Sequence, residues 1–198
     1  MRRCRLALLL SVALYACSPW GTAAENTAET GNPHGSTANA ASTAFGAPNP
    51  VVISSQLMTS GQPDAAQLAR LKEAGFDAVI YLAPPTVGDA VRDEQLIVTK
   101  QGMLFINLPV NFSAPGDADF DNFAALLQGL LQHKRHVLVH CQVNFRASSF
   151  LFLYRSIVLK ENPQQAQEAL NQVWKPNSTW RKFIEAQLRR AGLTYELM

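Results

Sequence analysis

The chain has 198 residues, 47% hydrophobic and 16% charged, too long for a small disulfide scaffold and apolar enough for one domain with a real core plus appendages. Its formal charge of +2 comes without any long basic run, which excludes the electrostatic footprint of a nucleic-acid binder.

Met1 to Arg5 form a basic start, and Leu6 to Ala16 an apolar run. The run is too short to span a bilayer, which takes about 20 residues, so residues 1–17 are predicted to be an export signal. Its removal takes away Arg2, Arg3 and Arg5 and no acidic residue, moving the formal charge from +2 to −1. The ending Leu14-Tyr15-Ala16-Cys17 resembles the bacterial lipobox. That resemblance implies lipidation of Cys17, a lipid anchor as the contact with the membrane, and export to the periplasmic side. Ser18 is not the aspartate that resembles an inner-membrane retention signal, so the outer membrane is the expected address. Cleavage after Thr22-Ala23-Ala24 and release as a soluble periplasmic protein is the alternative. Residues 18–50 are rich in Ala, Thr, Asn, Gly, Ser and Pro, with Phe45 as the one possible anchor. They are expected to be a disordered linker, unable to offset their ordering entropy. Cys4 and Cys17 then fall to the signal and the anchor. Cys141 is left as an unpaired thiol in an oxidising compartment, an oxidation hazard that favours a chemical role.

The folded domain is expected over residues 51–198. Val51-Val52-Ile53 suits a short strand, and Ser60-Gly61-Gln62-Pro63 a turn into a helix starting at Pro63 or Asp64. Leu68 and Leu71 share one helix face, and Gly75 suits the position past its end. Residues 78–82 read as a buried strand stopped by Pro84-Pro85, residues 88–100 as a helix closed by Gly102, and residues 103–108 as a strand ended by Pro109. After a loop come Phe120, Phe123, Leu126, Leu127, Leu130 and Leu131 at helical spacing. A strand over 136–140 follows, then a loop and a helix, apolar nearly all round, from 147 or 148 to 160. Two more helices are predicted, over 163–173 and 178–190. Strands alternating with helices predict an α/β domain, with a central, largely parallel sheet of about four strands flanked by helices. Ligands bind such sheets at the carboxyl ends of the strands, where Cys141, Pro84-Pro85 and the loop after Pro109 all fall.

At that end Val137-Leu138-Val139-His140 runs into Cys141, with Arg146 and Ser148 close behind. A tight turn followed at once by a helix presents N–H groups at the positive end of the helix dipole. The same groups stabilise a thiolate, and Arg146 adds a planar fork of donors suited to an oxyanion. Such a site needs an ionised sulfur facing an open pocket. Either residue by itself also fits a plain buried thiol or a capping arginine.

His140-Cys141 through Ser148 resembles the signature of the cysteine-dependent (protein tyrosine and dual-specificity) phosphatase superfamily: His-Cys, five residues, Arg, then Ser or Thr. Ser60-Gly61-Gln62-Pro63 and Gly75-Phe76-Asp77-Ala78-Val79-Ile80-Tyr81-Leu82 resemble a compact bacterial branch of it, sometimes fused to a β-lactamase-type hydrolase domain. This chain departs in having four residues, not five, before Arg146, and no glycine in the loop. The resemblance implies a phosphomonoester hydrolase with Cys141 as nucleophile and a cysteinyl-phosphate intermediate. The phosphate would be held by the N–H groups of Gln142, Val143, Asn144, Phe145 and Arg146 and by the Arg146 guanidinium. His140 would order the loop or be a satisfied strand-end histidine. Ser148 would assist breakdown of the intermediate or serve only its helix. The resemblance also implies a general acid on the loop after the preceding strand. Asp117, Asp119 and Asp121 are candidates, and Asn111 stands where an earlier acid would be. Asp119 is the choice, with a helix N-terminal role as its alternative. The short loop, six residues from Cys141 to Arg146, also resembles in length that of rhodanese-type sulfurtransferases, where the cysteine carries a persulfide. A non-catalytic anion-binding module is the third reading. The expected partner is a phosphorylated substrate of unspecified class. No cofactor is expected, and His133 and His136, flanking Lys134-Arg135, do not make a metal site. Trp174 and Trp180 are expected to pack.

Overall fold

A computed structural model describes residues 46–198; the signal, Cys17 and most of the expected linker lie outside the described residues. The sheet has five strands rather than about four, in the order β1-β2-β5-β3-β4. They are β1 (Val51–Ser54), β2 (Leu57–Ser60), β3 (Ala78–Tyr81), β4 (Leu104–Asn107) and β5 (Val137–His140). The first two make an antiparallel hairpin, and every other pairing is parallel. The additional strand is β2, whose four residues are all buried. It has no polar–apolar alternation, because both its faces are covered.

Alternation along the central strands sorts side chains to two faces. Leu57, Ala78, Ile80, Val137 and Val139 point into the larger core with Phe120, Phe123, Phe150 and Trp180. Met58, Val79 and Leu138 point into a smaller one with Leu68, Leu71, Val98 and Met103. The smaller face is closed by α1 (Ala65–Leu68) and α2 (Glu94–Thr99). Asp64 caps α1 reciprocally with Gln67: each side chain accepts the other's backbone N–H, at 2.7 and 2.9 Å. The larger face carries α3 (Asp117–Gln132), α4 (Phe145–Leu153), α5 (Pro163–Asn171) and α6 (Ser178–Arg190).

Two helices differ from expectation. The 88–100 segment is helical only over α2, because the stretch from Gly88 to Asp93 is spent in turns. The buried helix after the Cys loop starts at Phe145 and leaves α geometry after Leu153 for a wider π turn, Tyr154–Val158. Residues Ala47, Pro48 and Asn49, assigned above to the linker, pack against the domain: Ala47 is buried, and Pro48 O accepts the Gly61 N–H at 2.6 Å.

Candidate active site

Register brings Ser60 of β2, Tyr81 of β3 and His140 of β5 level with one another at the carboxyl ends of three parallel strands. The next residue after His140 is Cys141, whose N–H donates to Ser60 O at 3.3 Å. Only Gln142, Val143 and Asn144 separate it from α4, so the first-turn N–H groups of that helix, without intrahelical acceptors, follow directly on the thiol.

The missing glycine is answered by Asn144. It sits at φ +70°, in the left-handed region that asparagine tolerates better than other residues with a Cβ. Its buried side chain locks that geometry, donating from Nδ2 to Asn49 O at 2.6 Å and to Thr59 Oγ1 at 3.0 Å. Asn49 in turn donates to Val143 O at 3.1 Å. On the other side, Gln62 N donates to Gln142 O at 2.9 Å. Gly61 is needed there for close approach: a Cβ would lie 2.7 Å from Pro48 Cβ and 2.8 Å from Gln142 O. The turn 60–63 thus braces the Cys loop.

Arg146 is only 6% exposed and forms no ion pair among the described residues. Its Nε donates to Val110 O at 2.9 Å, its Nη1 reaches Gln142 Oε1 at 3.5 Å, and its guanidinium lies 5.1 Å from the centre of the Phe112 ring. The arginine displaced by one place is therefore held by the β4–α3 loop, its fork kept beside the Cys loop. Phe145 stacks on Trp174 with ring centres 4.3 Å apart, and Phe112 touches both rings, so Trp174 and Trp180 pack in one aromatic group behind the arginine.

Cys141 has no exposed surface, which corrects the expectation of an open pocket. Beside it the Gln142 side chain links two partners, its Oε1 accepting from Arg146 and its Nε2 donating to Asp89 Oδ1 at 2.8 Å. An anion reaching the guanidinium has to displace that long 3.5 Å contact.

His140 is fully buried and stacks on Tyr81, ring centres 4.7 Å apart. Its Nε2 lies 2.6 Å from Glu94 Oε1, at ion-pair distance without the alignment of a hydrogen bond, and Glu94 Oε2 accepts from Gln62 Nε2 at 2.9 Å. Burial raises the Tyr81 phenol above its ordinary range, helped by the charges of Glu94, Asp89 and Cys141 and opposed by Arg146. Nothing in the sequence singles out Glu94 and Asp89 beyond a group of acids on the segment that follows the site-facing end of β3.

The remaining candidates are occupied. Asp119 Oδ2 accepts the Gly116 N–H at 2.9 Å, the helix N-terminal role weighed above. Asp117 Oδ1 accepts from Gln187 Nε2 at 2.5 Å, and Asp121 pairs with Arg190. Ser148 donates to Phe145 O at 3.3 Å and lines a small gap with Leu151, Phe152 and Ala166 between α4 and α5. His136 lies 3.7 Å from Asp77. Among the described residues no group of three or more His, Cys, Asp or Glu is arranged to hold a metal ion.

No family model matches the chain, and no curated protein matches it. Solved structures do. A DUF442 phosphatase-like protein of Shewanella putrefaciens superposes with a TM-score of 0.64 at 33% identity, over 75% of this chain and 94% of that one. A Pseudomonas aeruginosa TpbA variant, Cys replaced by Ser and in complex with pTyr, matches at 0.53 and 22% over 73% and 80%. PTPMT1 in complex with PI(5)P matches at 0.62 and 15% over 72% and 96%. The two more distant structures share the fold, and the Shewanella protein shares sequence as well: the chain belongs to its DUF442 phosphatase-like family, within the cysteine-dependent phosphatase superfamily.

Proposed function

We propose that this chain hydrolyses phosphate monoesters, with Cys141 as nucleophile and a cysteinyl-phosphate intermediate. One observation carries the reading. Arg146 is a buried guanidinium with no carboxylate partner among the described residues, reaching the Gln142 side chain from the first turn of the helix that follows the strand-end thiol. A buried cation without a counter-ion costs several kcal/mol, and an anionic ligand recovers that cost. The neighbours that carry pTyr and PI(5)P are both complexes with phosphate monoesters, which supports this class of anion.

In this reading the substrate phosphoryl group displaces Gln142 Oε1 from Arg146. That displacement has also to uncover Cys141, which is buried before it; its thiolate then attacks phosphorus, and the P–O bond to the leaving group breaks as the S–P bond forms. Arg146 and the first-turn N–H groups of α4 stabilise the equatorial oxygens. Water then attacks phosphorus, the S–P bond breaks, and phosphate leaves. Asn144 and Gln62 keep the loop in shape, and His140, held between Tyr81 and Glu94, steadies the strand end beneath it. We also propose export and lipid anchoring at Cys17, on the lipobox resemblance alone.

The test is turnover of an aryl phosphate by the full chain, with Cys141→Ser as control. Activity is expected in the wild type and a loss of about 1000-fold or more in the variant, the scale lost when a covalent nucleophile is removed. Activity that survives the substitution sinks the reading, and cyanide-dependent turnover of thiosulfate in its place favours sulfur transfer.

A further inference from the structure

The proposed hydrolysis needs a proton for the leaving oxygen, and the acids of α3 are committed elsewhere. Asp119 takes its own helix's N–H, Asp117 takes Gln187, and Asp121 takes Arg190. Among the hydrogen bonds of the described residues, one carboxylate contacts a side chain of the Cys loop itself. It is Asp89, on the loop between β3 and α2, whose Oδ1 accepts from Gln142 Nε2 at 2.8 Å. It is exposed, so its side chain is free to move with Gln142. It also lies close enough to Tyr81 to act on that phenol together with Cys141, Glu94 and Arg146. Of the other carboxylates around the site, Glu94 is buried beneath it against His140 and Gln62, on the protein side of the loop.

We infer that Asp89 is the general acid of this enzyme, delivered to the leaving group by the side chain of Gln142. The inference rests on the proposed phosphatase reading and deepens it. When the phosphoryl group takes Arg146 from Gln142, the amide keeps its bond to Asp89 and brings the carboxyl to the rim of the loop. As Cys141 Sγ bonds to phosphorus and the ester P–O bond breaks, the proton of the Asp89 carboxyl passes to the departing oxygen. The resulting carboxylate then takes a proton from the water that attacks the cysteinyl-phosphate. The S–P bond breaks with its electron pair returning to sulfur, and the acid is restored.

Leaving-group dependence separates this role from a structural one. The full chain is assayed on 2,4-dinitrophenyl phosphate, whose phenolate departs without a proton, and on phenyl phosphate, whose leaving group needs one. In Asp89→Asn, kcat/KM is expected to fall about 100-fold or more on the phenyl ester, and less than about fivefold on the dinitrophenyl ester. Asp119→Asn is expected to lose the same factor on both. An equal loss on both esters in Asp89→Asn, no loss on either, or the split profile in Asp119→Asn overturns the assignment while leaving the Cys141 chemistry in place. A wild type inactive on both esters overturns the phosphatase reading and this inference together.

Discussion

Arg146 is a charge kept under cover by neutral neighbours: a carbonyl oxygen, an amide and the face of Phe112. A cation over an aromatic ring gains about 0.5–2 kcal/mol, less than its removal from water costs, so the site is poised for a counter-ion. Asn144 does comparable work for the backbone. Replacing it with alanine both forces a Cβ-bearing residue without a polar side chain into the left-handed region, about 1–2 kcal/mol, and strands the Asn49 and Thr59 acceptors, about 1 kcal/mol or more. Asn144→Ala is therefore expected to lose about 2–3 kcal/mol in urea unfolding. Asn144→Gly, which keeps the angle and loses the bonds, is expected to lose less; equal losses would show that the angle carries no cost. At this scale Cys141 and Arg146 stand out in the sequence as candidates because His-Cys and Arg are chemically unusual after an apolar strand. Asp89 and Glu94 do not, because a carboxylate among polar loop residues is indistinguishable from a solvated one until its partner 53 or 46 positions away is placed.

Among the elements, α4 decides the most. Every residue from Arg146 to Leu153 is buried, and the ring of Phe150 meets Phe120, Phe123, Trp180 and Phe183. It thereby joins α3 and α6 to the helix that begins at the Cys loop. Phe150→Ala is expected to cost about 3–5 kcal/mol, read as a shift in the urea midpoint at unchanged slope. A loss below about 1 kcal/mol would mean that the aromatic group repacks without it. The apolar run predicts this helix, but the helix starts two or three residues earlier than the run does, since nothing in the sequence marks Asn144 as left-handed. The strand β2 is invisible in the sequence for a related reason. Leu57-Met58-Thr59-Ser60 is too short to display a period, and only its pairing with β1 on one side and β5 on the other makes it a strand. The 88–100 segment is helical over less than its pattern predicts: Val91 falls on the apolar face, but Asp89 is drawn off to Gln142 and the helix begins at Glu94.

For the whole molecule, the two ends of the sheet do different work. The carboxyl ends carry the site, and the opposite ends are stapled by Asp77. Its Oδ1 accepts from Lys72 Nζ at 2.8 Å and its Oδ2 accepts the His136 N–H at 3.0 Å, tying β3 to the start of β5. The Lys72 hydrogen bond first, then that of His136, holds the Asp77 carboxyl below its ordinary range. A carboxylate whose folded value is depressed adds stability above its unfolded value, near pH 4, and loses it as pH falls through the folded one. Unfolding midpoints are thus expected to drop from about pH 5 to about pH 3, and Asp77→Asn to flatten part of that slope; an unchanged slope would leave the acid limb to other pairs such as Asp121–Arg190. The α/β layering was visible in the alternation of strand-like and helix-like segments. The number of strands and their order were not, because they depend on pairings between distant parts of the chain.

Asn49 and Pro48 belong, by composition, to the tract ahead of the first strand, yet their carbonyl oxygens hold Asn144 and Gly61. Trimming a recombinant product back to Val51, where hydrophobic sequence begins, would leave the fold's framework complete while amputating two of the struts under its Cys loop. Loss of the proposed turnover in such a shortened protein would then report the scissors rather than the chemistry of Cys141.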